Sequence, residues 1–426
     1  MDKFIINGAK PLKGTIEVRG AKNAAFPILA ATLLTDQTCV IDNIPLIEDI
    51  FKMIEIIKGL GAKVNWLSER KLEVNTKDID PQKLDKGLVK KLRGSVLLVG
   101  PLLARFKKIK FAQPGGCIIG ARPISTHLDA FAQAGAVITP EADSFIFELK
   151  QNTLFKNNAP KKIILNELSV TTTENMLLFL SNFAEKTEIK IADCDYQVQE
   201  LIKVLQLMGA KIEGSGTHHL QIEGTKNLKG FEYRVMYDPI EAGTFILLCA
   251  AVKGDVVIKN AELKFLELPL KRLKDFGLPY NIIDDMTIHI HPWSTLNIEK
   301  IQALPYPGIG SDLMPLFGLL ATQANGPTLL HDPLYENRLK YLEELNKMGA
   351  QIIFADPHRA IVNGPTSLFG IEVNSPDIRG GASLIAGALV AQGTTIISNV
   401  YQIDRGYERI EERLQKIGAD IQRVTE

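Results

Sequence analysis

Along this chain, apolar residues recur at helical spacing, stop at a glycine, resume at the two-residue spacing of a strand, and then the cycle starts again. The stops are Gly61, Gly135, Gly209, Gly277, Gly349 and Gly418, separated by 74, 74, 68, 72 and 69 residues. Five of them precede Ala; Gly277 precedes Leu278. A glycine just past a periodic segment is the usual end signal of a helix.

The third copy shows the cycle clearly. Its pattern predicts a helix over 171–183, a strand over 187–191, a helix over 198–208 and a hairpin over 211–222. In the sixth copy, Arg379 to Gly393 is so rich in small apolar residues that a helix there must be buried on most sides. A strand over 394–400, a helix over 407–417 and a strand over 419–424 follow. Each unit therefore reads as βαβαββ-like, and the fold class is α/β. Six copies of this length suit closed assemblies better than an open stack. We expect two domains of three repeats, with the opening helices buried at the centre of each and the sheets outside. The predicted boundaries give one domain over 22–236 and a second over 1–21 plus 237–426.

Composition narrows the partners. The 426 residues carry 49 Lys+Arg and 49 Asp+Glu, so no bulk charge draws the chain to nucleic acid or an anionic membrane. A small anionic ligand needs only a local cluster of cations. Four cysteines without CxxC spacing point to free thiols in a reducing compartment. The start of the chain lacks a signal-peptide pattern, and the apolar runs over 95–104 and 245–252 are too short to span a bilayer, so a cytoplasmic protein is expected.

The candidate chemistry clusters at helix starts and in one loop. Each opening helix begins with a small or polar residue, at Lys22-Asn23, Arg93, Ser169-Val170, Asp238, Ser311-Asp312 and Asp377-Ile378-Arg379. Helix N-termini favour phosphates and carboxylates, and three of these starts add Lys or Arg. The competing reading is that the polar residues are caps; Asp312 fits either a cap or a general base. The loop Phe111-Ala-Gln-Pro-Gly-Gly-Cys117-Ile-Ile-Gly-Ala-Arg122-Pro123 sets a thiol near a guanidinium and adds glycines that could let it close over a ligand. Cations also gather at Arg338 and in Asp404-Arg405-Gly-Tyr-Glu-Arg409. His289 and His291 share a strand face with no third ligand near in sequence, so no metal is expected.

Five stretches together resemble the enolpyruvyl transferases, and within them the branch acting on UDP-N-acetylglucosamine. They are Gly20-Ala-Lys22-Asn23-Ala-Ala, Pro114-Gly-Gly-Cys117 with Gly120-Ala-Arg122-Pro123, Glu241-Ala-Gly-Thr-Phe245, Glu336-Asn-Arg338, and Asp404 to Arg409. The resemblance covers nearly the whole chain. It implies a two-domain inside-out α/β barrel with the active site in the cleft between the domains. It also implies transfer of the enolpyruvyl group of phosphoenolpyruvate to the 3-hydroxyl of the nucleotide sugar, with no cofactor. By the same resemblance Cys117 is the acid and the residue alkylated by fosfomycin, and Asp312 the base. Lys22, Arg122 and Arg405 anchor phosphoenolpyruvate, with Arg338 and Arg379 nearby. Asn23, Arg93, Pro123, Ser169, Val170 and Leu334 contact substrate, and Asp377 is an active-site acid.

The chain departs from the family pattern at Ser125, Glu167, Thr171, Asp195-Tyr196-Gln197 and Ile309-Gly310-Ser311. Most of these lie on the nucleotide side. Where a diphosphate-facing lysine is common, Glu167 reverses the charge. Transfer to a different acceptor, or a silent nucleotide-sugar-binding paralogue, are the alternatives.

Overall fold

The computed structural model describes residues 2–115, 119–120, 123–150 and 161–425. The chain divides into two compact units. A terminal unit comprises Met1–Arg19, Ile118–Ala121 and Tyr237–Glu426, and a middle unit comprises Gly20–Cys117 and Arg122–Met236. The first division thus falls two residues before the one read from the sequence, and 118–121 joins the terminal unit.

Six sheets, one per repeat, are present among the described residues. In the third repeat, Lys161–Ile164 and Lys186–Lys190 run parallel on either side of a helix, and His219–Glu223 and Lys211–Glu213 add the antiparallel hairpin. The βαβαββ order is therefore realised. Strands remote in sequence complete other sheets. Asp2–Asn7 lies antiparallel between Thr394–Ser398 and Asp420–Thr425, finishing the sixth repeat. Lys13–Glu17 runs parallel to Asp255–Lys259 and opens the fourth, and Glu232–Arg234 runs parallel to Cys39–Asp42 in the first. The second repeat differs. Its sheet has three strands, and the segment ahead of its buried helix includes a 3₁₀ turn, Pro81–Lys83, whose proline has no N–H to give a ladder.

The opening helices are Lys22–Ala31 (α1), Val99–Phe106 (α2, preceded by a 3₁₀ turn over Arg93–Leu98), Val170–Leu180 (α3), Pro239–Ala251 (α4), Met314–Ala321 (α5) and Ile378–Val390 (α6). In the terminal unit α4, α5 and α6 pack on one another. In the middle unit α2 and α1 each pack on α3. Every residue of α5 is buried, which explains why these helices show so little amphipathic pattern in the sequence. Close approach needs glycine at Gly318, where a side chain would meet the Tyr341 hydroxyl.

All six landmark glycines adopt left-handed backbone angles, with φ between 97° and 112°. At Gly209 the glycine N–H donates to Gln206 and the following Ala210 N–H to Leu205, both at 3.0 Å. The same pair of bonds recurs at Gly61, Gly277, Gly349 and Gly418, so the periodic stop in the sequence is a repeated helix-ending motif.

Candidate active site

The helix starts divide by how their free N–H groups are used. Asp377 Oδ1 accepts from Arg379 N at 3.0 Å and Gly380 N at 3.1 Å. Asp238 Oδ1 accepts from Ile240 N at 2.8 Å and Glu241 N at 3.3 Å, and Ser169 Oγ from Thr172 N at 3.4 Å. These three are caps. The starts at Lys22, Arg93 and Ser311 have no side-chain cap. Two of those carry a cation, the arrangement that suits an anion.

In the terminal unit the predicted residues Asp312, Arg338, Asp377 and Arg379 come together. Arg338 is 2% exposed and donates in three directions. Nη2 reaches Asp312 Oδ1 at 2.7 Å, Nη1 reaches Asp377 Oδ1 at 3.4 Å, and Nε reaches Ser311 Oγ at 2.9 Å. Arg379 Nε donates to the other oxygen of Asp312 at 3.1 Å. Asp312 is therefore not a cap: each carboxylate oxygen holds one guanidinium, while the side chain stays 31% exposed. Burial works against the charge on Arg379, but Tyr407, Asp312 and Asp238 hold it well above the ordinary guanidinium value. Its guanidinium lies 5.2 Å from the centre of the Tyr407 ring, whose hydroxyl is 2.9 Å from Thr244 Oγ1. Behind Arg338, Ser311 donates to the buried carboxylate of Asp332 at 2.6 Å, and Asp332 also accepts from Leu334 N and Tyr335 N at 3.0 and 3.2 Å.

The basic motif at 404–409 separates into roles. Asp404 is held by Arg423 at 2.7 and 3.0 Å, and Arg409 is exposed, 3.7 Å from Glu412. Arg405 is half-buried and donates to Gln402 at 2.9 Å. Leu334 is exposed, its N–H committed to Asp332.

The middle unit holds its candidates differently. Lys22 Nζ lies 2.8 Å from Asp49 Oδ2, with both side chains largely buried, and Asn23 beside it is half-buried. Arg93 Nη2 donates to the carbonyl of exposed Pro123 at 3.3 Å. At the start of α3, Ser169 and Val170 are half-buried. There Thr171 Oγ1 lies 3.1 Å from His127 Nε2, and His127 Nδ1 is 3.0 Å from Asn175 Nδ2. Asn175 Oδ1 accepts from Gly100 N at 2.9 Å. The amide donates to Nδ1, which assigns the proton to Nε2 and the Thr171 bond. Burial, with Arg93 adding to it, pushes the His127 pKa down to about 3, so the ring is neutral. Thr126 Oγ1 donates to Glu167 at 3.0 Å.

Cys117 and Arg122 lie outside the described residues. The other cysteines, Cys39, Cys194 and Cys249, are buried, and burial pushes their thiols up to about 12, 11 and 12. Gly115, expected to act as part of a hinge, packs against the Lys90 carbonyl so closely that any side chain would collide. One expectation is corrected: His289 and His291 do have a third potential ligand, because Asp255 on the adjacent strand lies 2.7 Å from His289 Nε2. The sequence reading also missed Asp49, Ser311, Asp332 and Tyr407 as partners of the candidate residues. Asp332 precedes Pro333 and reads as a turn former, and Asp49 reads as an acid in a first helical turn.

The chain matches the EPSP synthase family (3-phosphoshikimate 1-carboxyvinyltransferase) over residues 6–414. A protein of Halothermothrix orenii named UDP-N-acetylglucosamine 1-carboxyvinyltransferase is 40% identical over 430 residues, covering 100% of both chains. One of the same name from Treponema denticola is 37% identical over 99% of each chain. Among solved structures, the enolpyruvyl transferase NikO from Streptomyces tendae superposes with a TM-score of 0.88 at 23% identity, covering 100% of this chain and 99% of that one. EPSP synthase from Acinetobacter baumannii gives 0.76 at 19% identity, covering 100% of both. These two likenesses establish the two-domain inside-out α/β barrel as the fold.

Proposed function

Since the chain belongs to the enolpyruvyl transferase family, we infer that it transfers the enolpyruvyl group of phosphoenolpyruvate to the 3-hydroxyl of UDP-N-acetylglucosamine, releasing phosphate. This is the first committed step of peptidoglycan synthesis, a cytoplasmic reaction. The full-length identity to relatives of that name carries the reading. The lattice around Asp312 gives it a chemical basis.

The reaction needs a proton donor for the vinyl carbon, an acceptor for the hydroxyl proton, and cations for the phosphate and carboxylate. Cys117 supplies the proton and can hold a covalent adduct with phosphoenolpyruvate. Asp312 takes the hydroxyl proton; Arg338 and Arg379 fix both its oxygens, so the carboxylate is oriented before substrate arrives. Lys22, Arg122 and Arg405 bind the anionic groups of phosphoenolpyruvate, and neutralising the departing phosphate is the largest rate contribution. Asn23, Arg93, Pro123, Ser169, Val170 and Leu334 contact the nucleotide sugar. Asp377 acts by capping α6 and pairing with Arg338. A second reading, with a different acceptor, is favoured by Glu167, an exposed carboxylate where the family resemblance implies a diphosphate-facing lysine.

Phosphate release from phosphoenolpyruvate tests both. Release that depends on UDP-N-acetylglucosamine is expected. Release with another nucleotide sugar alone selects the second reading, and none with any acceptor removes the assignment. Fosfomycin should add one mass equivalent at Cys117, because the three other thiols are buried and protonated. Cys117→Asp should lose that label yet keep some turnover.

A further inference from the structure

We propose that Asp255, His289 and His291 form a binding site for a divalent transition metal, with zinc as the best-fitting ion. Asp255 and His289 lie on adjacent strands of one sheet in the terminal unit, His291 follows the second strand, and none of the three belongs to the lattice around Asp312. His289 and His291 stand two residues apart, so their side chains leave the same face. The neighbouring antiparallel strand pairs Val257 with His289 and Val256 with Ile290, a register that brings Asp255 opposite His291.

One ligand atom from each residue lies within 4.8 Å of the other two. The imidazole centroids are 4.1 Å apart, at an interplanar angle of 51°. Tetrahedral zinc with nitrogen and oxygen ligands at its usual distances sets the ligating atoms about 3.3 Å apart, inside the spacing these three residues span. His289 Nε2 already approaches Asp255 Oδ1 to 2.7 Å. The imidazole of His291 makes no hydrogen bond to any described residue. An imidazole nitrogen held that near a second imidazole and a carboxylate is a metal ligand in chemistry and position.

The carboxylate is available as an anion: its hydrogen bond to His289, and then Lys13, hold it below the usual range. Lys13 lies 3.3 Å from Oδ2, leaving Oδ1 to face the imidazoles. The side chains of His289 and Asp255 are 28% and 34% exposed, so an ion can enter and keep water in its remaining positions. Two imidazoles and one carboxylate select zinc, cobalt, nickel or copper over magnesium or calcium. Bound there, the ion would cross-link the Asp255–Lys259 strand to the segment following Thr287–Ile290.

The experiment is calorimetric titration of chelator-stripped protein with zinc chloride alone, in a Cys117→Ser background so that this thiol does not compete. One equivalent should bind, and its affinity should fall at least tenfold in His289→Ala and in His291→Ala. Half-buried His219, on a sheet of the middle unit, serves as control: His219→Ala should bind as the parent does. Circular dichroism without metal verifies that each variant is folded. No bound equivalent in the parent, unchanged binding in either histidine variant, or loss in His219→Ala would overturn the site.

Discussion

The terminal and middle units are built from the same repeat, yet they stabilise their buried polar residues by different means. The terminal unit gathers formal charges: Arg338 and Arg379 interlock with Asp312 and Asp377, and Asp332 backs them through Ser311. The middle unit has the Lys22–Asp49 pair, but at the start of α3 it uses hydroxyls, an amide and a neutral imidazole. Four of the five stretches that depart from the family pattern fall in the middle unit. In a charge lattice each buried ion depends on a few specific partners, so removing one leaves a buried charge less compensated. A network of neutral hydrogen bonds loses less when a partner is exchanged. Asp312 and its two arginines therefore sit where substitution is costly, and most departures from the family pattern fall where it is cheap.

The sharpest way to break that contrast is to remove a member of the lattice. Arg338→Met takes a buried guanidinium away from Asp312, Asp377 and Ser311 at once, so unfolding stability should drop by about 3 kcal/mol, measured by urea titration. Asp312→Asn should separate chemistry from folding, because Asp312 is partly solvated and Arg338 keeps its other partners. Turnover should fall by roughly 10²–10⁴-fold, as expected for a lost proton acceptor, with a smaller drop in the unfolding midpoint than in Arg338→Met. Near-normal turnover in Asp312→Asn would reduce the lattice to scaffolding.

The same contrast explains what the sequence discloses. Repeat count, pitch and helix ends were legible because each depends on a local rule: a helix must stop, and Gly209 or Gly349 does so at positive φ. Lys22, Asp312, Arg338 and Arg379 were legible through the resemblance. Their partners were not. Asp332 lies 21 residues after Ser311, and Asp49 27 after Lys22, so these bonds exist only once each repeat has folded back on itself. Asp238 and Asp377 match both a cap and a ligand contact in sequence, and only the bonds to their own helix N–H groups distinguish the two. Asp255 joins His289 through strand register, which no local spacing encodes.

The middle unit should reveal itself by pH. Neutral His127 binds its proton near 6.5 when unfolded but near 3 when folded, so its contribution is complete above about pH 6.5 and is lost as the pH falls towards 3. Glu174, buried in α3 with one carboxylate oxygen unpartnered, has the opposite sign. Burial, then Asp193 and Asp195, raise its pKa well above 4.5, so the folded state binds the extra proton and stability falls as the pH rises past 4.5. Between about pH 4.5 and 6.5 the two slopes oppose each other, each at most about 1.4 kcal/mol per pH unit. His127→Gln should therefore expose the falling limb, and Glu174→Gln the rising one, in urea midpoints across that range. Identical pH profiles for the parent and both variants would mean that neither group is held as its surroundings require.

The smallest expected effect concerns Glu167, an exposed carboxylate bonded to Thr126. Solvent screens it, so Glu167→Gln should change unfolding stability by less than about 1 kcal/mol. Its influence should appear in acceptor binding. If Glu167 faces the diphosphate, Glu167→Lys replaces repulsion with attraction, and the KM for UDP-N-acetylglucosamine should fall about three- to tenfold at low ionic strength. That gain should shrink as salt is added, because the screening length contracts to about 8 Å at physiological salt. KM for phosphoenolpyruvate should not move, since its proposed anchors Lys22, Arg122 and Arg405 are unaltered. A salt-independent result, or an equal shift for both substrates, would indicate that Glu167 acts through Thr126 and the fold. The neutral network of the middle unit would then be no more permissive than the charged one.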